Sequence, residues 1–272
     1  MKKTIAWFLL LAVTTTALAQ NDVPQTVQTA DGQTLRLVWN DEFSGTGLPN
    51  PEKWGYEHGF VRNWEKQFYT RERLENVFQK EGKLVIQSLK ENYEENGQKA
   101  EITSASVTTE GKAAWTYGRI EVCAKLPTGR GAWPAIWMLG TNIRQIGWPR
   151  CGEIDIMEYV GFNPTQIHAT VHASNHGKHT SKGFWTRLPG VENRFAVYAV
   201  EWSEDKMDFF VDDQCYFTFK KTDLEIDPWP FDKPHYLILN TAVGGSWGGQ
   251  KGIDDAAFPM TYEIDYVRVY QK

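Results

Sequence analysis

The chain has 272 residues, with 34 acidic and 29 basic side chains mixed along it and a formal net charge of −5. No basic run is present, so a phosphate backbone would be repelled, and nucleic acid is excluded as an expected partner. Twelve Trp, eleven Tyr and fourteen Phe are many for this length. They can build a core and still leave flat faces for sugar rings.

Residues 1–19 read as a signal peptide: Lys2 and Lys3 are basic, Ile5–Val13 is a short apolar run, and Ala17-Leu18-Ala19 is a small-x-small cleavage site. The run is too short for a bilayer, which takes about 20 residues. No cysteine follows it to carry a lipid. A soluble, monomeric protein, periplasmic or secreted and free of the membrane after cleavage, is expected. Residues 20–33 are polar and predict a loose lead-in, and residues 34–272 carry no linker, so one domain is expected.

Leu35–Trp39 opens that domain, and Asp41–Gly45 reads as a turn. The aromatic, irregular stretch Gly55–Thr70 predicts a binding loop. Lys83–Lys90, Ile102–Thr109 and Tyr117–Lys125 are strand-like, and Glu91–Lys99 is a charged tip joining the first two. Ala132–Leu139 reads as a strand. Further strands are predicted at Gln166–Ala173, Phe195–Trp202, Lys206–Val211, Cys215–Lys220, Tyr236–Val243 and Tyr262–Tyr270. Ser174–Lys182, with His176 and His179, reads as a surface loop. Long helical periodicity is absent. Short strands separated by turns imply an all-β chain, a two-sheet antiparallel β-sandwich. Cys123, Cys151 and Cys215 allow one disulfide and a free thiol, or three buried thiols. Cys151 reads as a small packing residue.

The chemistry centres on Gly152–Tyr159, where Glu153, Asp155 and Glu158 interrupt a β-favouring run. In a regular strand Glu153 and Asp155 would share a face and Glu158 would point into the opposite layer. A β-bulge around Ile156–Met157 would return Glu158 to the face of the other two, and bulges are frequent beside active sites. The outer acids would then lie roughly 13 Å apart along the backbone, at about 3.3 Å per residue. Inward-leaning side chains could close this to the roughly 5–5.5 Å of a retaining glycosidase pair, or leave the roughly 6.5–9.5 Å of an inverting one. A solvated edge strand fits poorly, because Ile154, Ile156, Met157, Tyr159 and Val160 are apolar. A carboxylate metal cluster would favour glycine turns over β-branched neighbours.

These residues resemble the laminarinase-like branch of glycoside hydrolase family 16, whose Glu-x-Asp-x-x-Glu pattern Glu153–Glu158 matches at each position. The resemblance extends to Trp39–Phe43, Gln67–Thr70, Ala132–Leu139 and Tyr262–Tyr270, in the family's order. It implies a concanavalin-like jelly roll with an open concave cleft, and a retaining endo-acting hydrolysis of β-1,3 or mixed β-1,3/1,4-glucan. Glu153 would be the nucleophile, Glu158 the acid/base, and Asp155 the residue that orients and tunes Glu153. Trp133, Trp137, Trp148, His172 and Trp247 would bind substrate, with Asn63, Glu65, Arg73 and Asn240 as polar partners. His168 reads as structural. A zinc site of His168 and His172 fails because four residues of strand separate them by about 13 Å. No cofactor is implied for catalysis. A structural calcium is implied at the carbonyls of Glu42 and Gly82 and the side chain of Asp265, all oxygen donors.

Other members of the family act on galactans, often sulfated, and would call for Lys or Arg in the cleft, whereas the segments placed there are aromatic and weakly charged. A non-catalytic glucan-binding sandwich is the reading from another class, and the three intact acids speak against it.

Overall fold

Tight turns set the strand pairing. His176 and Gly177 both take positive φ (48° and 86°), as do Asn96 and Gly97 (50° and 79°), the left-handed pair that a two-residue hairpin demands. The computed structural model describes residues 23–272; the predicted signal peptide lies outside them. Seven strands form one sheet: β1 (Gly55–Tyr56), β2 (Ser106–Thr108), β3 (Ala132–Gly140), β4 (Glu153–Glu158), β5 (Gln166–Asn175), β6 (Lys178–Arg187) and β7 (His235–Val243), in the order β6-β5-β4-β3-β7-β2-β1. All its pairings are antiparallel.

The second sheet is built around Met260–Gln271, which pairs with Thr34–Asp41, Lys83–Glu95 and Gly118–Lys125. Ala196–Trp202, Lys206–Val211 and Gln214–Lys220 extend it on the far side of Gly118–Lys125. The parallel pairing of Phe68–Tyr69 with Gln98–Ser104 departs from an otherwise antiparallel scheme. Between the sheets lies one large apolar cluster with Ile154, Ile156 and Met157 of β4, Val122 and Ile120 opposite, and Tyr198, Phe209 and Tyr262 among its largest members. Among the described residues no helix is long and apolar enough to cross a membrane.

Most predicted strands match within one or two residues, but the single strand expected over Ile102–Thr109 is broken at Ala105, with Gln98–Ser104 pairing to Lys83–Glu95 and Ser106–Thr108 to β7 in the other sheet. Three further segments differ. Thr26–Gln28, expected as part of a loose lead-in, pairs with Thr34–Arg36, because the Thr29–Gln33 turn brings Val27 opposite Leu35. The charged tip Glu91–Lys99 is mostly strand, since the Asn96-Gly97 turn lets Glu94 and Glu95 pair with Lys99 and Gln98. Ser174–Lys182 is not a loop but the end of β5, the His176-Gly177 turn and the first half of β6. The three cysteines are unbridged, and Cys215 is exposed rather than buried. Cys151 is fully buried against Trp137, Leu139 and Tyr236, a packing role as expected.

Candidate active site

The irregularity expected in β4 is present. Asp155 pairs with Thr170 and Glu158 with His168, so two residues, Ile156 and Met157, oppose Ala169 alone. On the other side Trp137 pairs with Asp155 and Ile136 with Met157. Both bulge residues enter the core and are completely buried. Their burial drives the strand to absorb the extra residue, and Glu158 emerges on the face that carries Glu153 and Asp155.

That face lines a cavity of about 330 Å³ with Glu153, Asp155 and Glu158 beside Trp133, Trp137 and Trp148. Each outer acid accepts one indole N–H: Trp148 Nε1 donates to Glu153 Oε2 at 2.8 Å, and Trp133 Nε1 to Glu158 Oε1 at 3.0 Å. Asp155 sits between them, almost wholly buried, with His172 Nε2 at 3.2 Å from its Oδ2 and 3.9 Å from Glu153 Oε1. Ligand atoms of Glu153, Asp155 and His172 lie within 4.8 Å of one another. The Trp148 indole already bonds Glu153 Oε2, while Asp155 Oδ2 is buried without a hydrogen-bond partner.

Burial raises all three acids. It pushes Glu153 up to about 8, helped by the charge of Asp155. Glu158 is pushed up to about 7, again first by burial and with Glu153 adding to the shift. Asp155 is raised well above the carboxylate range by burial and by Glu158. Three buried carboxyls at this spacing share protons near neutral pH. Against burial, His172 and the Trp148 indole favour the charge of Glu153, and the Trp133 indole and His172 favour that of Glu158.

A second cavity, of about 470 Å³, is lined by Asp31, Tyr117, Trp202 and Lys206. There Asp31 and Asp208 share Lys206, and Glu201 pairs with Arg119, whereas the catalytic-motif acids line the smaller cavity.

Glycosyl hydrolases family 16 matches over residues 64–268. The chain belongs to that family. It is 51% identical over 247 residues to the beta-glucanase of Rhodothermus marinus, covering 86% of this chain and 85% of that one. The X-ray structure of the Rhodothermus marinus laminarinase superposes with a TM-score of 0.80 at 48% identity, covering 87% and 97% of the two chains. A non-specific endo-β-1,3(4)-glucanase of family 16, crystallised with a β-1,3-linked cellotriosyl-glucose, gives 0.82 at 42% identity and covers 92% and 98%.

Among the residues expected in this family 16 cleft, Asn63, Glu65 and Asn240 line the cavity. Trp137 Nε1 donates to Asn240 Oδ1 at 2.7 Å, Asn240 Nδ2 donates to the Tyr69 hydroxyl at 2.9 Å, and that hydroxyl reaches Glu65 Oε2 at 3.4 Å. Gly245 approaches this loop so closely that a Cβ would meet the Asn63 carbonyl at 2.9 Å, and Ser246 N donates to that carbonyl. Trp247, on the one-turn helix Gly245–Gly248, is not among the residues lining the cavity. It braces Trp133 edge-on at 5.6 Å and His168 at 4.9 Å.

Arg73 is displaced from its expected place. Its guanidinium forks onto Glu91 at 2.6 and 3.0 Å, bonds Asn76 and covers Tyr93, so its donors are saturated away from the cleft. Arg62 lines the cavity instead, 4.7 Å over the Trp137 ring and paired with Glu57. The cleft thus carries one arginine that the sequence reading left out, already matched by a carboxylate. His179 was also missed. It packs against Trp148 at 4.8 Å with the rings tilted by 36°, stacks on His172 at 5.2 Å, and its Nε2 lies 2.9 Å from His172 Nδ1. The signal for it was the Asn175-His176-Gly177-Lys178 turn, which makes a hairpin of the flanking runs.

Proposed function

We propose that this family 16 enzyme is a retaining endo-β-glucanase that cuts internal β-1,3 linkages of laminarin-like chains, and β-1,3/1,4 mixed-linkage glucan as well. The observation that carries this reading is the Ile156–Met157 bulge, which sets Glu153 and Glu158 on one face with Asp155 between them. Ionised Glu153 attacks the anomeric carbon while Glu158 protonates the departing glycosidic oxygen, forming a covalent glycosyl-enzyme. Esterified Glu153 no longer carries charge, so the pressure on Glu158 drops and it can take a proton from the incoming water. Water attacks the same carbon, the Glu153 ester bond breaks, and the configuration is retained. Asp155 hydrogen-bonds Glu153, and His172 Nε2 lies 3.2 Å from the other Asp155 oxygen.

The pairing of Arg62 with Glu57 supports a neutral substrate over a sulfated galactan. The test is incubation with laminarin, mixed-linkage glucan and agarose, with linkage analysis of the fragments and NMR of the anomer formed first. An initial α-anomer, or cleavage of agarose alone, would overturn the reading.

The calcium set is also proposed. Asp265 occupies the irregularity in its strand between Ile264 and Tyr266, with Leu84 opposite Ile264 and Asp41 opposite Val267. That register draws Gly82 and Glu42 towards it. Partial burial raises the Asp265 carboxyl, and the nearby Glu42 charge adds to this against Lys83. The ion would be structural, tying three strands, and EDTA should lower the Tm if it is bound. Export through residues 1–19 and a monomeric state belong to the same proposal. N-terminal sequencing of the exported protein and its sedimentation behaviour test them.

A further inference from the structure

We propose that Trp185, on the outermost strand of the cleft sheet, is a stacking platform for a sugar ring of the bound glucan, on the flank opposite Trp137 and Asn240. The proposal rests on the glucanase reading above and adds a binding position to it.

The register places the residue. Glu158 pairs with His168, and His168 pairs with Trp185, so the three stand in line across β4, β5 and β6. Side chains alternate across a sheet. On β5 the odd-numbered Ile167, Ala169, Val171 and Ala173 enter the core, which leaves His168 and His172 on the cleft face. Directly paired residues share a face. Trp185, Gly183, Ser181 and His179 therefore belong to the cleft face of β6, and His179 shows it by its contacts with His172 and Trp148.

Trp185 is 46% exposed. Its neighbour Phe184 is more exposed, at 56%, but faces the other way and stacks on Phe217 at 6.2 Å. Gly183 lies so close to β5 that a Cβ would meet the Ala169 carbonyl at 2.7 Å and Thr170 Oγ1 at 2.8 Å. No side chain therefore stands between Trp185 and Ser181 on that face. An exposed indole on an edge strand invites aggregation unless it serves a contact. Two strand steps of about 4.8 Å put Trp185 about 10 Å from Glu158, within reach of a few hexose rings from the scissile bond. A flat indole with an open floor beside it suits the apolar face of such a ring. Continuity with the catalytic cleft selects the glucan itself as the occupant.

The experiment compares Trp185→Ala, Trp185→Leu, Trp185→Phe and, as a control on the other face of the strand, Phe184→Ala. Each is checked for unchanged Tm and assayed on laminari-oligosaccharides of increasing length and on laminarin. Trp185→Ala should lower kcat/KM on long chains by about tenfold, the equivalent of about 1.4 kcal/mol, through KM, and leave the shortest cleaved oligosaccharide unaffected. Trp185→Leu, apolar but not flat, should behave like Trp185→Ala, and Trp185→Phe should keep most of the wild-type value. Equal losses at every chain length, no loss at any, or the same loss from Phe184→Ala would overturn the proposal. Retardation of the wild-type protein in a laminarin gel, reduced by Trp185→Ala, reads the platform without catalysis. A wild type that bound in the gel but cut no β-glucan would therefore sink the hydrolase reading and leave this one standing.

Discussion

The two flanks of β4 are built on different chemistry. On the β3 and β7 side the cleft floor is a closed network: Trp137 to Asn240, Asn240 to Tyr69, Tyr69 to Glu65, and Glu65 to Gln67 and Asn63. All of β3 and all of β7 are buried. On the β5 and β6 side stand His168, His172, His179 and Trp185, half-buried or exposed. The first flank can fix one shape for a sugar, because each polar group already has its partner. The second is more exposed, so it can accept a chain of varying form. Rigidity and adaptability are thus divided between the two sides of one bulged strand.

Replacing the residue common to both flanks should have the largest effect. Glu153→Gln removes the nucleophile with little change of shape, and activity on laminarin should fall by about 10⁴-fold or more, as for loss of a nucleophile elsewhere. Binding in a laminarin gel should survive. Turnover within a factor of ten of wild type would move the nucleophile off Glu153. On the closed flank, Tyr69→Phe deletes the hydroxyl between Asn240 and Glu65 and leaves buried polar atoms unmatched. It should cost about 1–3 kcal/mol of stability, read by denaturant unfolding. A change below about 0.5 kcal/mol would mean that the network is not closed in solution.

Much of the closed flank was legible in the sequence, and little of the open one. The parity conflict in Glu153–Glu158 demanded an irregularity, and Ile156 and Met157 were the apolar residues able to absorb it. Trp133, Trp148 and Asn240 came from the family resemblance, and the structure places them where hydrogen bonds or cavity walls need them. β6 was hidden because neither of its faces is deeply buried, so the apolar alternation that marks a strand is missing. With it went His179 and Trp185. Arg62 and Arg73 could not be told apart by local sequence. The carboxylate that captures Arg73, Glu91, lies in the hairpin beyond it, while the partner of Arg62 is Glu57, five residues back along the same loop.

On the open flank, His179 touches two of the groups that hold Glu153. It packs against Trp148 and both stacks on and shares a hydrogen bond with His172, so it acts as a positioning residue. His179→Ala should lower kcat by about three- to tenfold, matching the roughly 0.5–1.5 kcal/mol of one hydrogen bond, with KM nearly unchanged. His179→Gln, which restores a hydrogen-bonding group, should recover most of the loss, and His179→Phe, which keeps only the stack, should recover little. If Phe rescues and Gln does not, the ring contact with Trp148 is the part that matters.

The smallest effect should come from the indole on the acid/base. The Trp133 N–H favours the charged form of Glu158 and so holds its pKa down, against the burial that raises it to about 7. Trp133→Phe keeps an aromatic ring but removes that donor, so the Glu158 pKa should rise. Because Glu158 must be protonated to expel the leaving group, activity declines as pH rises through its pKa. The kcat/KM measured on the alkaline side of the profile should therefore rise relative to wild type, by about twofold to tenfold, the latter worth about 1.4 kcal/mol, with the acid side unchanged. The same substitution on the other acid, Trp148→Phe, removes a donor from Glu153, which must be ionised to attack. That change should instead lower kcat/KM on the acid side and leave the alkaline side unchanged. Opposite limbs responding to the two tryptophans would assign the proton donor and the nucleophile independently of the loss-of-function variants, and the same limb responding to both would mean that the carboxyls titrate as one unit.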